Sequence, residues 1–336
     1  MFKRLLVPLD RSSLAEQALG QAAAIARSSN AAVDVLLVHE SLPFAGFADA
    51  PWNADQWDDE EKYIATIAEE VLSGAAIPIS YAIERGAPAE TISHRAVEID
   101  ADLIVMTSHG RTGLSRAWMG SVADGVIRRS SAPVLLLRPI EGKTRSEAAR
   151  RLFKKILVPL DGSAWAADIL PAAIALAESN DGRLLLLRVV QPVPQISIDA
   201  SIPFVYPPTL IDEAATNDLV DEAKEQLAEL ARRLEPDGID VESQVVLAPH
   251  VAQAILDCVR AHGIDAIAMS THGRGASRLL IGSVADKVLR GSDVPLLLRR
   301  PPEIIEHDAP TASLAAEAGS VTSAGEVSFG ASSGNP

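Results

Sequence analysis

The chain carries one sequence pattern twice, and this repeat is the strongest limit on what it can fold into. FKRLLVPLDRSS, which begins at Phe2, returns as FKKILVPLDGSA from Phe153. ADLIVMTSHGRTGLSRAWMGSVADGVIRRSSAPVLLLRP, which begins at Ala101, returns as IDAIAMSTHGRGASRLLIGSVADKVLRGSDVPLLLRRP from Ile264. Because the matching landmarks keep their order, the pattern indicates a duplicated structural unit rather than chance. We therefore expect two domains of one fold.

The repeat boundaries divide the 336 residues into two domains, a connection and a tail. The tail is rich in Ser, Ala, Gly and Pro and has few large apolar residues, so it cannot bury enough surface to fold. We predict copy one over residues 1–139, a linker over residues 140–151, copy two over residues 152–300 and a disordered tail over residues 301–336.

Copy two is longer than copy one in its middle. Asp10 and Asp161 are 151 positions apart, whereas Gly110 and Gly273 are 163 positions apart. We expect the extra residues in the proline-rich stretch 191–208.

Within each copy, short apolar runs alternate with segments of helical spacing. This alternation predicts parallel strands that are joined by right-handed helical crossovers, with helices on both faces of the sheet. The fold class is therefore α/β, with two tandem doubly wound five-stranded parallel-sheet domains of Rossmann-like type. Such sheets bind ligands beyond the carboxyl ends of their strands. The predicted strands are 3–8, 33–38, 77–83, 103–106 and 134–137 in copy one, and 155–159, 184–189, 240–247, 266–269 and 296–298 in copy two. The predicted helices of copy one include residues 57–72 and 121–129.

Composition narrows the partners and the location. The net charge of −15 disfavours nucleic acid and anionic membrane surfaces, and the sequence shows no concentrated basic stripe. No apolar run reaches the roughly 18 residues that a membrane span needs. Cys258 is the single cysteine, so an internal disulfide cannot form, and a reducing, cytoplasmic location is favoured.

An aspartate follows the opening strand in each copy. Asp10 and Asp161 come after Val-Pro-Leu, at the strand's carboxyl end, where a carboxylate can accept hydrogen bonds from a ribose hydroxyl. Asp is also a favoured helix N-cap, and Ser12 or Ser163 could take that role instead. Both interpretations stay open from sequence alone.

A second group of residues points to an anionic ligand. TSHG at Thr107 is followed by GSV at Gly120, and STHG at Ser270 is followed by GSV at Gly282. Free amides at a helix start attract phosphate oxygens, and glycine lets the backbone approach them. An ordinary glycine turn with a serine cap is the alternative, but the repetition favours a site. Nearby basic residues are Arg111, Arg116, Arg128, Arg129, Arg274, Arg278, Lys287 and Arg290.

His109 and His272 have no second histidine or cysteine at ligand spacing, so we assign them to backbone orientation or loop packing and predict no metal site. The sequence has no Walker A motif, no G-x-G-x-x-G after a strand and no G-x-S-x-G elbow. These observations argue against an enzyme. An ATP pyrophosphatase-type enzyme of related fold is the remaining catalytic alternative, but Asp10-Arg11-Ser12 differs from the S-G-G-x-D-S loop of such enzymes.

Together these motifs resemble the universal stress protein family over residues 2–139 and 153–300. The resemblance implies a Rossmann-like fold similar to adenine nucleotide alpha hydrolases, and a regulatory role in the stress response. It also implies ATP as ligand, with or without Mg²⁺, and slow hydrolysis at most. The alternative is a nucleotide-free member that acts through unidentified protein partners. Family members pair through their last strands, which implies pairing of the two copies and leaves a homodimer open.

The resemblance also assigns the residues that would hold the nucleotide. Thr107 and Ser270 stand where the family's phosphate pattern begins with glycine, and copy two is one residue short in the following spacer. The intact spacing favours copy one as the ATP site. The implied contacts are Asp10 and Asp161 to ribose, the backbone of Glu40 or Val189 to adenine, and Thr107, Gly110, Gly120, Ser121 and Val122 in copy one or Ser270, Gly273, Gly282, Ser283 and Val284 in copy two to phosphates.

Overall fold

The computed structural model divides the chain into two compact units. One unit is copy two, Leu152–Pro301, together with Met1, and the other is copy one, Phe2–Arg151, together with Pro302–Pro336. The structure describes residues 1–40, 51–72, 77–108, 119–138, 152–195, 211–234, 238–272, 281–301 and 324–325, and the single residues 142, 144 and 147.

Copy one forms a parallel sheet with helices on its connections. Among its described residues, five parallel strands lie in the order β3-β2-β1-β4-β5. The elements are β1 Arg4–Leu9, α1 Ser13–Ser29, β2 Ala32–His39, α2 Pro51–Leu72, β3 Ile79–Arg85, α3 Pro88–Glu98, β4 Leu103–Thr107, α4 Ser121–Arg129 and β5 Val134–Leu137.

Copy two repeats this course. Its described residues form five parallel strands in the order β8-β7-β6-β9-β10. The elements are β6 Lys155–Pro159, α5 Ala164–Ala167, α6 Leu170–Glu178, β7 Arg183–Val190, α7 Glu213–Leu234, β8 Val241–Leu247, α8 Val251–His262, β9 Ala266–Ser270, α9 Ser283–Gly291 and β10 Leu296–Arg299.

The first helix differs between the copies. Copy one has one continuous helix, α1, whereas copy two has the short α5 followed by α6. Pro171 lies in the first turn of α6. Proline has no N–H to donate and is tolerated at a helix start but not in a helix interior, so it separates the two segments.

The cores are built from the strands' apolar runs. Leu5, Leu6 and Val7 of β1 are fully buried, as are Ile156, Leu157 and Val158 of β6. Strands that are covered on both faces are expected to be apolar without alternation, which is the pattern that these runs show. The expected α/β class, with two tandem Rossmann-like domains, is therefore correct.

The strand register relates the two copies position by position. Pro8 pairs with Leu36 in copy one, and Pro159 pairs with Leu187 in copy two. Equivalent positions of the first two strands are thus 151 residues apart. The extra residues of copy two lie between β7 and α7, in residues 191–212, which contain most of the proline-rich stretch.

The observed elements of copy one and of the tail agree only in part with the expected ones. The helix at residues 121–129 and the strand at residues 134–137 lie where they were expected, whereas α2 begins earlier than expected, at Pro51. Within the tail, Ala324–Gly325 forms β11, antiparallel to β3, which corrects the expectation of disorder for these two residues. The rest of the tail beyond Pro301 and most of the linker lie outside the described residues.

Among the described helices, none combines the length and apolar character needed to cross a bilayer.

Candidate functional site

A cavity of about 540 Å³ opens at the carboxyl ends of β6, β7 and β9 in copy two. The strand order reverses between β6 and β9, which is where doubly wound sheets bind their ligands. The strand ends form one wall of the cavity. Helix α7 forms another wall through Leu219, Glu222, Ala223 and Gln226. The start of α9 closes one end.

The cavity brings together the copy-two residues that the sequence singled out. Gly273 lies outside the described residues. The predicted residues that line the cavity are Asp161, Val189, Ser270, Gly282, Ser283 and Val284.

The aspartates after the opening strands are not the helix caps. In copy two, Asp161 Oδ1 accepts hydrogen bonds from Ser163 N at 2.9 Å and Ser163 Oγ at 2.6 Å. Ser163 caps α5, because its Oγ accepts from Ala166 N at 3.1 Å. Copy one has the same arrangement, with Ser12 as the cap and Asp10 accepting from Ser12 N at 3.0 Å. The capping serines therefore hold each carboxylate at the strand end.

Ser270 is the residue that replaces the family's first glycine in copy two. It ends β9, is only 6% exposed and lines the cavity. Its Oγ has no hydrogen-bond partner among the described residues. Buried hydroxyls are nearly always hydrogen-bonded, so this one is suited to meet a polar group of a ligand. The hydroxyl does not fill the cavity.

The start of α9 presents unused backbone donors. Gly282 is the N-cap, and no side chain caps this helix. The first intrahelical bond runs from Asp286 N to Gly282 O at 2.9 Å, so the amides of Ser283, Val284 and Ala285 have no helical acceptor. All three residues line the cavity. With the helix dipole, these amides form an end that attracts an anion.

Packing favours glycine at the cap. Gly282 N donates to Thr271 O at 2.8 Å, and a Cβ at Gly282 would lie 3.0 Å from that oxygen. Copy one repeats the backbone contact, with Gly120 N donating to Ser108 O at 2.8 Å and Gly120 as the N-cap of α4.

The residues predicted in copy one occupy equivalent places where they are described. Thr107 ends β4 and is buried, while Glu40 follows β2 and is exposed. Ser121 and Val122 begin α4. Gly110 lies outside the described residues, so the phosphate loop of copy one stays a prediction.

The strand end from which the adenine contact was predicted needs a correction in copy two, whereas the contact itself stays a prediction. β7 extends through Val190, so Val189 lies inside the strand rather than after it. By register, Val189 corresponds to Val38, and Gln191 corresponds to Glu40. Gln191 lines the cavity, and its Nε2 donates to Pro249 O at 2.9 Å. The constant spacing of the first two strands already pointed to Gln191, whereas the apolar run hid the strand's end.

Two of the basic residues expected near the helix starts pair with a carboxylate of their own helix. Arg128 pairs with Asp124 at 2.8 Å, and Arg290 pairs with Asp286 at 3.0 Å, both one helical turn away. Arg188 of β7 lines the cavity instead, and its Nη1 donates to Leu160 O at 3.4 Å. The arginines of the two loops, Arg111, Arg116, Arg274 and Arg278, lie outside the described residues.

His272 packs in the cavity wall, as expected of a loop-packing residue. It is buried, and its Nδ1 lies 2.9 Å from Thr271 Oγ1. His109 lies outside the described residues. The wall from α7 was not foreseen, because the apolar face of a helix looks alike in sequence whether it covers a core or a cavity.

Comparison with known proteins gives the family. The sequence profile described as "Universal stress protein family" matches residues 1–138 and again residues 152–300. The chain belongs to the universal stress protein family. As a universal stress protein it carries two family domains in tandem, one in each compact unit.

Named relatives match one domain's length of this universal stress protein. One from Methanocaldococcus jannaschii is 32% identical over 145 residues, covering 41% of this chain and 83% of the relative. One from Thermus aquaticus is 30% identical over 139 residues, covering 41% of this chain and all of the relative.

Two solved structures match nearly the whole chain. A universal stress protein from Archaeoglobus fulgidus has a TM-score of 0.62 at 20% identity, covering 89% of this chain and 96% of that one. A putative universal stress protein from Pseudomonas aeruginosa has a TM-score of 0.62 at 16% identity, covering 91% and 96%. At these identities the likeness supports the fold alone.

Proposed function

We propose that this universal stress protein is a regulatory protein that binds ATP in copy two. The observation that carries the proposal is the cavity at the carboxyl ends of β6, β7 and β9, which joins an anion-attracting helix start to a fixed carboxylate. Its volume of about 540 Å³ falls within the roughly 300–1,000 Å³ that is typical of small-molecule sites.

Each end of the cavity suits one part of the nucleotide. The amides of Ser283 and Val284 would hold phosphate oxygens, and the buried hydroxyl of Ser270 would donate to one of them. Asp161 would accept from the ribose hydroxyls. The apolar side chains of Leu219 and Ala223 would cover the base. Mg²⁺ would enter with the phosphates, and it would neutralise part of their charge.

The family resemblance supports regulation with slow hydrolysis at most. It also supports cytoplasmic location, pairing of the two copies and dimerisation, which remain part of this proposal. The geometry of the cavity, however, favours copy two over copy one, although the loop spacing in the sequence favours copy one.

Isothermal titration with Mg-ATP tests the proposal. Asp161→Asn keeps the acceptor for Ser163 N but removes the charge, so we expect the Kd to rise about 10- to 100-fold, the effect of losing a charged hydrogen-bond acceptor. Asp257→Asn, an exposed change on α8, is the control and leaves the Kd unchanged.

Two results would count against it. If Asp10→Asn weakens binding and Asp161→Asn does not, the site lies in copy one. If the wild type gives no binding heat and no shift in melting temperature at millimolar Mg-ATP, the chain is a nucleotide-free interaction protein.

A further inference from the structure

In copy one, a buried, hydrogen-bonded histidine–glutamate pair occupies positions whose counterparts line the cavity of copy two. His39 Nδ1, at the end of β2, is 2.7 Å from Glu60 Oε2 of α2. His39 is 2% exposed and the Glu60 side chain is 3% exposed. Gln56 Nε2 donates to Glu60 Oε1 at 2.9 Å, and the rings of Trp57 and His39 make an edge contact with centroids 5.6 Å apart.

Arg11 lies next to the same pair. Its Nη1 is 4.0 Å from Glu60 Oε1, and its guanidinium carbon is 6.0 Å from the centre of the Tyr63 ring. Arg11 has a φ of 67°, a conformation that costs a side chain energy. We call Arg11, His39 and Glu60 the plug.

Copy two has a smaller residue at each plug position. Gly162, with a φ of 80°, follows Asp161 as Arg11 follows Asp10. The strand register places Val190 at the position of His39.

Ala223 corresponds to Glu60 by the buried faces of the two long helices. In α2, Glu60 and Ile64 are buried one turn apart, and in α7, Ala223 and Leu227 are buried one turn apart. Val190 and Ala223 both line the cavity of copy two. Two of the three replacements are therefore located at the wall of the site, and the third, Gly162, directly follows the cavity residue Asp161.

We infer that the plug closes copy one to nucleotide, so that each chain takes one nucleotide, in copy two. This inference rests on the proposed function. An incoming ligand cannot separate the pair cheaply, because a buried polar group that loses its hydrogen-bond partner bears the full cost of its desolvation. The three plug residues thus determine how many nucleotides a chain binds.

The two sets of residues define reciprocal variants of the full chain. The opening variant Arg11→Gly/His39→Val/Glu60→Ala gives copy one the residues of copy two, and it removes both members of the hydrogen-bonded pair together. The closing variant Gly162→Arg/Val190→His/Ala223→Glu does the reverse. Circular dichroism and thermal melting show whether each variant folds.

Native mass spectrometry with saturating Mg-ATP counts the bound nucleotides. We expect one per chain for the wild type, two for the opening variant and none for the closing variant. Two nucleotides on the wild type overturn the inference, as does a folded opening variant that still binds one. If the opening variant does not fold, the closing variant decides, and a closing variant that keeps its nucleotide overturns the plug.

The proposed function and the plug fail differently. A wild type that binds none removes the proposed function of copy two. An opening variant that then gains one nucleotide still supports the plug, and one that gains none removes the plug as well.

Discussion

On the side of the sheet that α3 covers, ionic contacts stabilise copy one, whereas copy two has uncharged side chains at the corresponding positions. Beneath α3, the buried Asp34 of β2 accepts from Arg95 Nε at 3.3 Å, Arg95 Nη2 at 3.1 Å and Ser80 Oγ at 2.8 Å. Arg95 also lies 3.6 Å from Glu84 and 3.3 Å from Glu98. One arginine therefore serves three carboxylates.

Copy two places uncharged residues at the matching positions. The register puts Leu185 at the position of Asp34 and Val246 at that of Glu84. The buried faces of α3 and α8 put Cys258 at that of Arg95. Burial raises the pKa of the Cys258 thiol, which keeps it neutral, and its Sγ lies 3.8 Å from Gln244 Oε1.

The difference shows that the same fold forms whether ionic or uncharged side chains lie between the helix and the sheet. An apolar set can replace a buried ionic set with little loss, whereas breaking the ionic set by removing one partner is costly. The same asymmetry applies to the plug. Copy one therefore depends on intact charge pairs, and copy two is free to keep a cavity.

The largest expected effect comes from breaking the ionic set with a residue taken from copy two. Arg95→Cys leaves the buried Asp34 and the half-buried Glu84 without their cation, so we expect a loss of about 3–5 kcal/mol in the free energy of unfolding of copy one. Urea unfolding followed by tryptophan fluorescence measures it, because Trp52, Trp57 and Trp118 lie in copy one and Trp165 lies in copy two.

The triple variant Asp34→Leu/Glu84→Val/Arg95→Cys is the matched control. It converts the arginine and the two carboxylates that it leaves behind to the residues of copy two, and it should recover most of the loss. A single variant as stable as the wild type would show that the pairing contributes nothing.

A smaller effect tests whether helix packing also differs between the copies. A Cβ at Gly125 of α4 would lie 2.5 Å from Ala89 Cβ of α3. Alanine favours a helix by about 1 kcal/mol over glycine, but overpacking costs about 1–3 kcal/mol. We expect Gly125→Ala to lose up to about 2 kcal/mol in the same unfolding assay.

The corresponding position in copy two is Lys287, which is exposed. Lys287→Ala should change the free energy of unfolding by no more than about 0.5 kcal/mol. If Gly125→Ala instead stabilises copy one, α3 moves away at little cost, and the two copies do not differ in this packing.

Much of the fold could be predicted, because its signals are local. The apolar run at residues 134–137 follows a proline and ends at a polar residue, and the helix at residues 121–129 begins at a glycine-serine pair, so both were located correctly. The end of β7 was misplaced at Val189, because Val189 and Val190 are equally apolar. No local signal separates the last residue of a strand from the first residue beyond it.

The candidate site could be predicted only in part, because the sequence reveals local signals but not long-range contacts. Asp161 follows the strand β6, and Gly282 caps the start of helix α9. Their place at the sheet edge could therefore be inferred from the order of the elements. The plug could not, since His39 and Glu60 come from segments that only the folded chain brings together. Whether a cavity opens or closes depends on that long-range pairing.

The smallest expected effect concerns Glu84, whose position is apolar in copy two. Burial raises the pKa of Glu84 above its ordinary value of 4.5, and the nearby Arg95 opposes this shift. The folded state then holds a proton that the unfolded state has released. The carboxyl group's contribution to stability is therefore present below pH 4.5 and lost as pH rises through the raised pKa. In Glu84→Gln this dependence is absent, so the wild type should lose stability relative to the variant over that pH range. Urea unfolding of both proteins across it measures the difference, and a difference that grows in the wild type's favour would mean that Arg95, rather than burial, controls Glu84.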